Sequence, residues 1–112
     1  MADQTRVINL KTGVPYTVYI GRANDRYRLR QSKWHNPFKI GPHGTRDEVL
    51  TQYRAYVLGR PELLAQIGEL RGQTLGCWCA PAVGFQGQLL CHGQVLAALA
   101  DGLPLDRAGE AG

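Results

Sequence analysis

Residues 74–79, TLGCWC, form a short apolar run set between two helical patterns. Gly72 precedes the run and Pro81 follows it, so it reads as a strand with defined ends. Upstream, Val49, Leu50, Tyr53 and Val57 recur at helical spacing. They follow Thr45-Arg46-Asp47-Glu48, which fits a capping box and predicts a helix over 45–58. Gly59 ends that helix. Pro61 suits the first turn of a second helix, with Leu63, Leu64, Ile67 and Leu70 as its buried stripe. Downstream, a last helix begins near Cys91 and turns Val95, Leu96 and Leu99 toward the core.

The chain opens with two further strand patterns, TRVINL (5–10) and VPYTVYIG (14–21), separated by a Lys-Thr-Gly turn. Residues 22–44 are irregular and read as a long basic loop with one helical turn around 24–31. A loop of this length inside a small domain is more often functional than idle. The order of elements predicts a small single-domain α/β fold over 1–102. It would have a few-stranded, largely parallel sheet and about three helices, Rossmann-like in kind. The tail from 103 to 112 has little to bury and is expected to fray.

With 112 residues, 44% hydrophobic and 20% charged, the chain has material for one modest core. No apolar stretch approaches the roughly 20 residues that span a bilayer, and the start MADQTR has no apolar signal region. The expectation is a cytoplasmic protein without a membrane partner. Three cysteines, an odd count, do not read as a disulfide framework in that setting. The net charge of +4 is unevenly placed. Arg22, Arg26, Arg28, Arg30, Lys33 and Lys39 stand against Asp25 alone, a local balance of +5 that leaves the rest of the chain near −1. Such a patch calls for an anionic partner, with phosphate the commonest candidate.

Chemistry can be sought in two places. On a strand, Cys77 and Cys79 share one face and Trp78 takes the other. The end of that strand and the start of the next helix meet at the carboxyl edge of the sheet, where α/β folds bind ligands. This brings Cys79 toward Cys91 and His92, with Cys77 a pleat deeper in the core. The helix start would favour a thiolate at Cys91 and a neutral His92, and its amides could hold a phosphate. Three readings stay open. Cys77, Cys79, Cys91 and His92 could bind zinc, although the C-x-C spacing is poor for it. Cys79 or Cys91 could act as a nucleophile beside His92. Or the cysteines simply pack.

The second place is SKWHNPFKIG (32–41), where cations alternate with aromatics in a way that suits phosphate contact and base stacking. Packing of Trp34 and Phe38 onto the body competes with that reading. Arg22, at the end of the second strand, belongs at the same sheet edge as the cysteines if the strands run parallel, and could clamp an anion.

The segments TRVINL, VYIGR, SKWHNPFKIG, GTRDEVLTQYRAYVL, ELRGQTLGCWCAP and CHGQVLAALA together resemble a bacterial and phage family catalogued as domain of unknown function 4326. The resemblance runs over about residues 5–100. It marks Gly21 and Arg22; Ser32, Lys33, Trp34, Asn36, Pro37 and Phe38; and Cys77, Trp78, Cys79, Pro81, Cys91, His92 and Gly93. His35 stands where the family has glycine, and Gln94 where aspartate is common. The resemblance implies that the two clusters form one site, and it names no reaction.

Together these readings predict a pocket for a nucleotide or another phosphate-bearing ligand. Arg22, Lys33, Asn36 and the amides up to Gly93 would hold the anion, Trp34 or Phe38 would stack, and Cys79, Cys91 and His92 would line the site. If the protein is an enzyme, thiol-assisted transfer or hydrolysis on a nucleotide or nucleoside is expected. The alternative is a nucleic-acid-binding module working through residues 22–39, with or without a structural zinc.

Overall fold

The computed structural model describes residues 5–78, 80 and 91–102. Three strands form one parallel sheet: β1 (Arg6–Asn9), β2 (Val18–Tyr19) and β3 (Thr74–Cys77), in the order β1-β3-β2. Arg6 to Asn9 pair with Thr74 to Cys77, and Val18 and Tyr19 pair with Leu75 and Gly76. The central strand is the apolar TLGC, buried from Leu75 onward, as a strand covered on both faces must be.

The strand predicted over 14–21 is shorter than its pattern. Bonds from the Thr17 amide to the Thr74 carbonyl and from the Ile20 amide to the Gly76 carbonyl extend the β2 ladder by one residue at each end. Val14 and Tyr16 lie outside it and are exposed. An edge strand needs only enough length to close one side of β3.

Helix α1 (Arg46–Leu58) starts as its sequence demands. Thr45 Oγ1 accepts from the Glu48 amide and the Glu48 carboxylate accepts from the Thr45 amide. Its predicted stripe, Val49, Leu50, Tyr53 and Val57, is buried. The helix predicted from Pro61 is interrupted: α2 (Pro61–Leu64) stops after one turn and a 3₁₀ turn (Ile67–Leu70) follows. Leu63 and Leu70 are nevertheless buried, with Leu64 and Ile67 partly so.

Helix α3 (His92–Asp101) lies against β1, β3 and α1. Gly93 permits its close approach to the sheet, because a Cβ there would sit 2.6 Å from a Val7 methyl and 2.9 Å from Ile20 Cδ1. At its far end the Asp101 carboxylate accepts from the Thr5 amide (2.9 Å) and the Thr5 hydroxyl (2.6 Å), fastening α3 to the start of β1. No helix among the described residues is long and apolar enough to cross a membrane. Cys79, the 82–90 loop and the tail lie outside the described residues.

Candidate functional site

Because all three strands are parallel, their carboxyl ends share one edge of the sheet. Beside that edge, at the ends of β2 and β3, lies a pocket of about 380 Å³. Gly21 and Arg22 enter it from β2, Trp78 from β3, Cys91 and His92 from the start of α3, and Arg46, Val49 and Leu50 from the start of α1. The outer wall is the loop stretch Asn36 to Ile40. Arg22, Asn36 and Phe38 from one cluster and Trp78, Cys91 and His92 from the other therefore meet in one cavity.

Arg22 builds the pocket as well as lining it. Its Nε donates to the Asn36 carbonyl and its Nη2 to the Phe38 carbonyl, each at 2.9 Å. These bonds hold the loop over the strand end while leaving three of the five guanidinium N–H donors for other partners. Asn36 stiffens the same stretch, its side-chain oxygen accepting from the Phe38 amide at 2.9 Å. Gly21 is needed because the Tyr19 ring folds over it. A Cβ would lie 2.5 Å from the Tyr19 oxygen, which itself donates to the Arg22 carbonyl and accepts from Trp78 Nε1 at 2.8 Å.

Three cations line the cavity, Arg22, Lys39 and Arg46, and among the described residues no carboxylate does. The ion pairs among the described residues use other cations, Lys33 with Glu69 and Arg60 with Glu62. Arg46 is the informative one. It occupies the first position of α1, where the helix dipole is positive and a cation is disfavoured by about 0.3–1 kcal/mol. Folding does not call for an arginine there, whereas an anion in the pocket would. The sequence reading missed Arg46 because it falls inside the capping-box pattern. Nothing local says that α1 begins at the pocket mouth.

The floor is apolar and neutral. His92 is only 5% exposed, and its Nε2 lies 2.7 Å from the Ile20 carbonyl. A carbonyl only accepts, so Nε2 carries the proton and Nδ1 is the acceptor nitrogen. The ring packs edge-on against Tyr53, with centroids 5.1 Å apart. Burial pushes its pKa down to about 4, opposed by the Ile20 bond and reinforced by the positive charge of Arg22. The imidazole is thus neutral at physiological pH.

Cys91 caps α3, its sulfur accepting from the Gly93 amide at 3.4 Å, and Gln94 completes the box by accepting from the Cys91 amide at 2.9 Å. Gln94 is therefore a working acceptor for this capping box. Cys77 and Cys91 are both fully buried with their sulfurs 3.1 Å apart. Cys77 is thus part of the core, as expected, and it is itself a neighbour of Cys91. Cys79 lies outside the described residues. Among the described residues no group of three or more His, Cys, Asp or Glu side chains is placed to hold a metal ion.

Two expected ligand-binding residues lie elsewhere. Trp34 is in the core, its Nε1 donating to Glu69 at 3.2 Å and its carbonyl accepting from the Tyr53 hydroxyl at 2.7 Å. Lys33 pairs with Glu69 at 2.7 Å and donates to Gln66, pinning the loop to the 3₁₀ turn. Neither lines the cavity, whereas Asn36 and Phe38 do. Gly93 serves the packing of α3.

Fold and site together define a small α/β domain with a cation-lined pocket at the carboxyl edge of a three-stranded parallel sheet. The chain belongs to the family described as Domain of unknown function (DUF4326), whose pattern matches residues 5–102. It is also similar to the Uncharacterized protein R718 of Acanthamoeba polyphaga mimivirus, with 39% identity over 82 residues. That match covers 70% of this chain and 62% of the viral protein, so the chain spans less than two thirds of that relative's length. No solved structure matches the chain.

Proposed function

We propose that the protein binds a small phosphate-bearing ligand, a nucleotide by preference, in the pocket between the ends of β2 and β3 and the starts of α1 and α3. The observation that carries this reading is the convergence of Arg22, Lys39 and Arg46 on one cavity with no carboxylate among its described lining residues. A volume near 380 Å³ lies in the range of small-ligand sites. The cationic rim suits a phosphate, and the apolar surface of Phe38, Val49, Leu50 and Trp78 suits a base. Binding is favoured over acid–base catalysis because His92, buried and tied to Ile20, stays neutral and fixed. Titration calorimetry with AMP, ADP and inorganic phosphate at low salt tests the reading. Saturable nucleotide binding that weakens about 10-fold in Arg46→Ala, and further in Lys39→Ala/Arg46→Ala, is expected. No binding at millimolar nucleotide, or binding indifferent to both charges, overturns it.

A further inference from the structure

Beside the pocket lies a second surface that a mononucleotide would leave untouched. Residues 24–29 close into a tight tip: the Asn24 and Leu29 amides and carbonyls exchange bonds of 2.9 and 3.0 Å, around a 3₁₀ turn at Asp25–Tyr27. Arg28 takes the left-handed conformation, with φ at 56°, to complete it. The tip presents Arg26, Tyr27 and Arg28 to solvent, and Tyr27 is 51% exposed, large for an aromatic in a shaped turn. The Tyr27 ring meets Trp78 with centroids 4.9 Å apart, and the Arg26 guanidinium lies 5.8 Å from the Tyr27 centroid. Trp78 is also a wall of the pocket. One aromatic path therefore runs from the pocket through Trp78 to Tyr27, with Arg22 in the pocket wall and Arg26 beside the Tyr27 ring. Arg28 and Arg30 follow in the same segment, where Asp25 is the single opposing charge.

Exposed aromatic faces alternating with cations are what successive bases and phosphates of a flexible strand require. Resting on the pocket reading above, we infer that the ligand is the phosphorylated end of a single-stranded nucleic acid. Its terminal nucleotide occupies the pocket and the adjoining nucleotide stacks on Tyr27. Arg26 and Arg28 meet the phosphates between and beyond. The turn is pre-shaped by its own backbone bonds, so little ordering cost falls on binding. A duplex end cannot follow this path, since its bases are already paired and stacked on one another.

The test measures fluorescence anisotropy of labelled hexanucleotides, DNA and RNA, carrying a 5′-phosphate, a 3′-phosphate or neither, beside a blunt duplex and competing AMP. The single strand with one phosphorylated end is expected to bind at least 10-fold tighter than AMP and than the duplex. Its affinity should fall with salt more steeply than that of AMP. Tyr27→Ala should cost the hexanucleotide about 5-fold or more, the loss of one base–aromatic stack, and leave AMP within twofold. Arg26→Ala/Arg28→Ala should flatten the salt dependence. AMP binding with hexanucleotides no tighter and Tyr27→Ala silent overturns the extended site and leaves the pocket reading standing. Hexanucleotide binding that needs Tyr27 but not Arg46, without any AMP binding, overturns the pocket reading and with it the placement of the strand end.

Discussion

The two sides of the pocket are built on opposite principles. The side made by the start of α3 and the end of β3 holds the sulfurs and the imidazole, the groups that look most chemical in the sequence. There Cys77, Cys91 and His92 are buried and engaged: Cys77 beside Cys91, and a neutral His92 bonded to Ile20. The side made by the 22–40 loop and the start of α1 holds ordinary surface residues, yet its cations converge with no acidic residue among the described lining. A residue's capacity for chemistry is thus a poor guide to its use in this fold.

If this contrast is right, changes on the α3 side should act on stability and changes on the loop side on binding. The largest effect is expected for His92→Ala. It removes a buried ring packed on Tyr53 and leaves the Ile20 carbonyl without its donor, for a loss of about 3 kcal/mol in chemical denaturation. The same residue makes the fold sensitive to acid. In the unfolded chain its pKa is about 6.5 and in the folded protein about 4, so unfolding takes up a proton between those values. The stabilisation is complete above about pH 6.5 and is lost as pH falls toward 4, by about 3 kcal/mol in total. His92→Gln should flatten the pH–stability curve between 5 and 6.5. A curve of unchanged slope in that variant would show that another group controls the acid limb.

Next in size is Gly93→Ala. The added methyl meets Val7 and Ile20 side chains at 2.6 and 2.9 Å, so those side chains or α3 itself must shift, at a cost of about 1–3 kcal/mol. A melting temperature within a degree of the parent protein would show that the α3–sheet contact is looser than its geometry implies. Arg46→Ala tests the other side. Removing a cation from the positive end of α1 should leave the ligand-free protein as stable as before or slightly more so. Nucleotide affinity should nevertheless fall about 10-fold, or about 1.4 kcal/mol. Stability and affinity falling together would place Arg46 in the folding of the domain and erase the contrast.

These differences also mark what could be read in the sequence. The capping box at Thr45 and Glu48, the stripe of α1, the apolar β3 and the α3 start at Cys91 are local patterns, and each stands in the structure. The meeting of Arg22 with Cys91 and His92 depended on β2 running parallel to β3, a condition that the strand pairing meets. Elsewhere local pattern and tertiary demand part company. Val14 to Tyr16 carry strand propensity, but the sheet edge needs only the residues around Val18 and Tyr19. The segment after Pro61 has a continuous apolar stripe, yet a tight 3₁₀ turn buries Leu70 equally well. Trp34 and Phe38, four residues apart in one loop, go to the core and to the pocket respectively, which only the path of that loop decides.

The smallest effect separates local from long-range control on the loop side itself. Thr45→Ala removes the 3.3 Å bond from the Glu48 amide and one half of the capping box, which should cost about 1 kcal/mol of stability. Thr45 does not line the pocket, but it fixes the start of α1 and so the position from which Arg46 reaches the cavity. Nucleotide affinity should therefore fall by no more than about threefold, while Thr45→Ser, which keeps the cap oxygen, restores both quantities. Affinity lost as deeply as in Arg46→Ala would mean that the first turn of α1 is ordered by its cap and not by the packing of Val49 and Leu50. Unchanged affinity beside the expected loss of stability would mean that this packing alone presents the arginine.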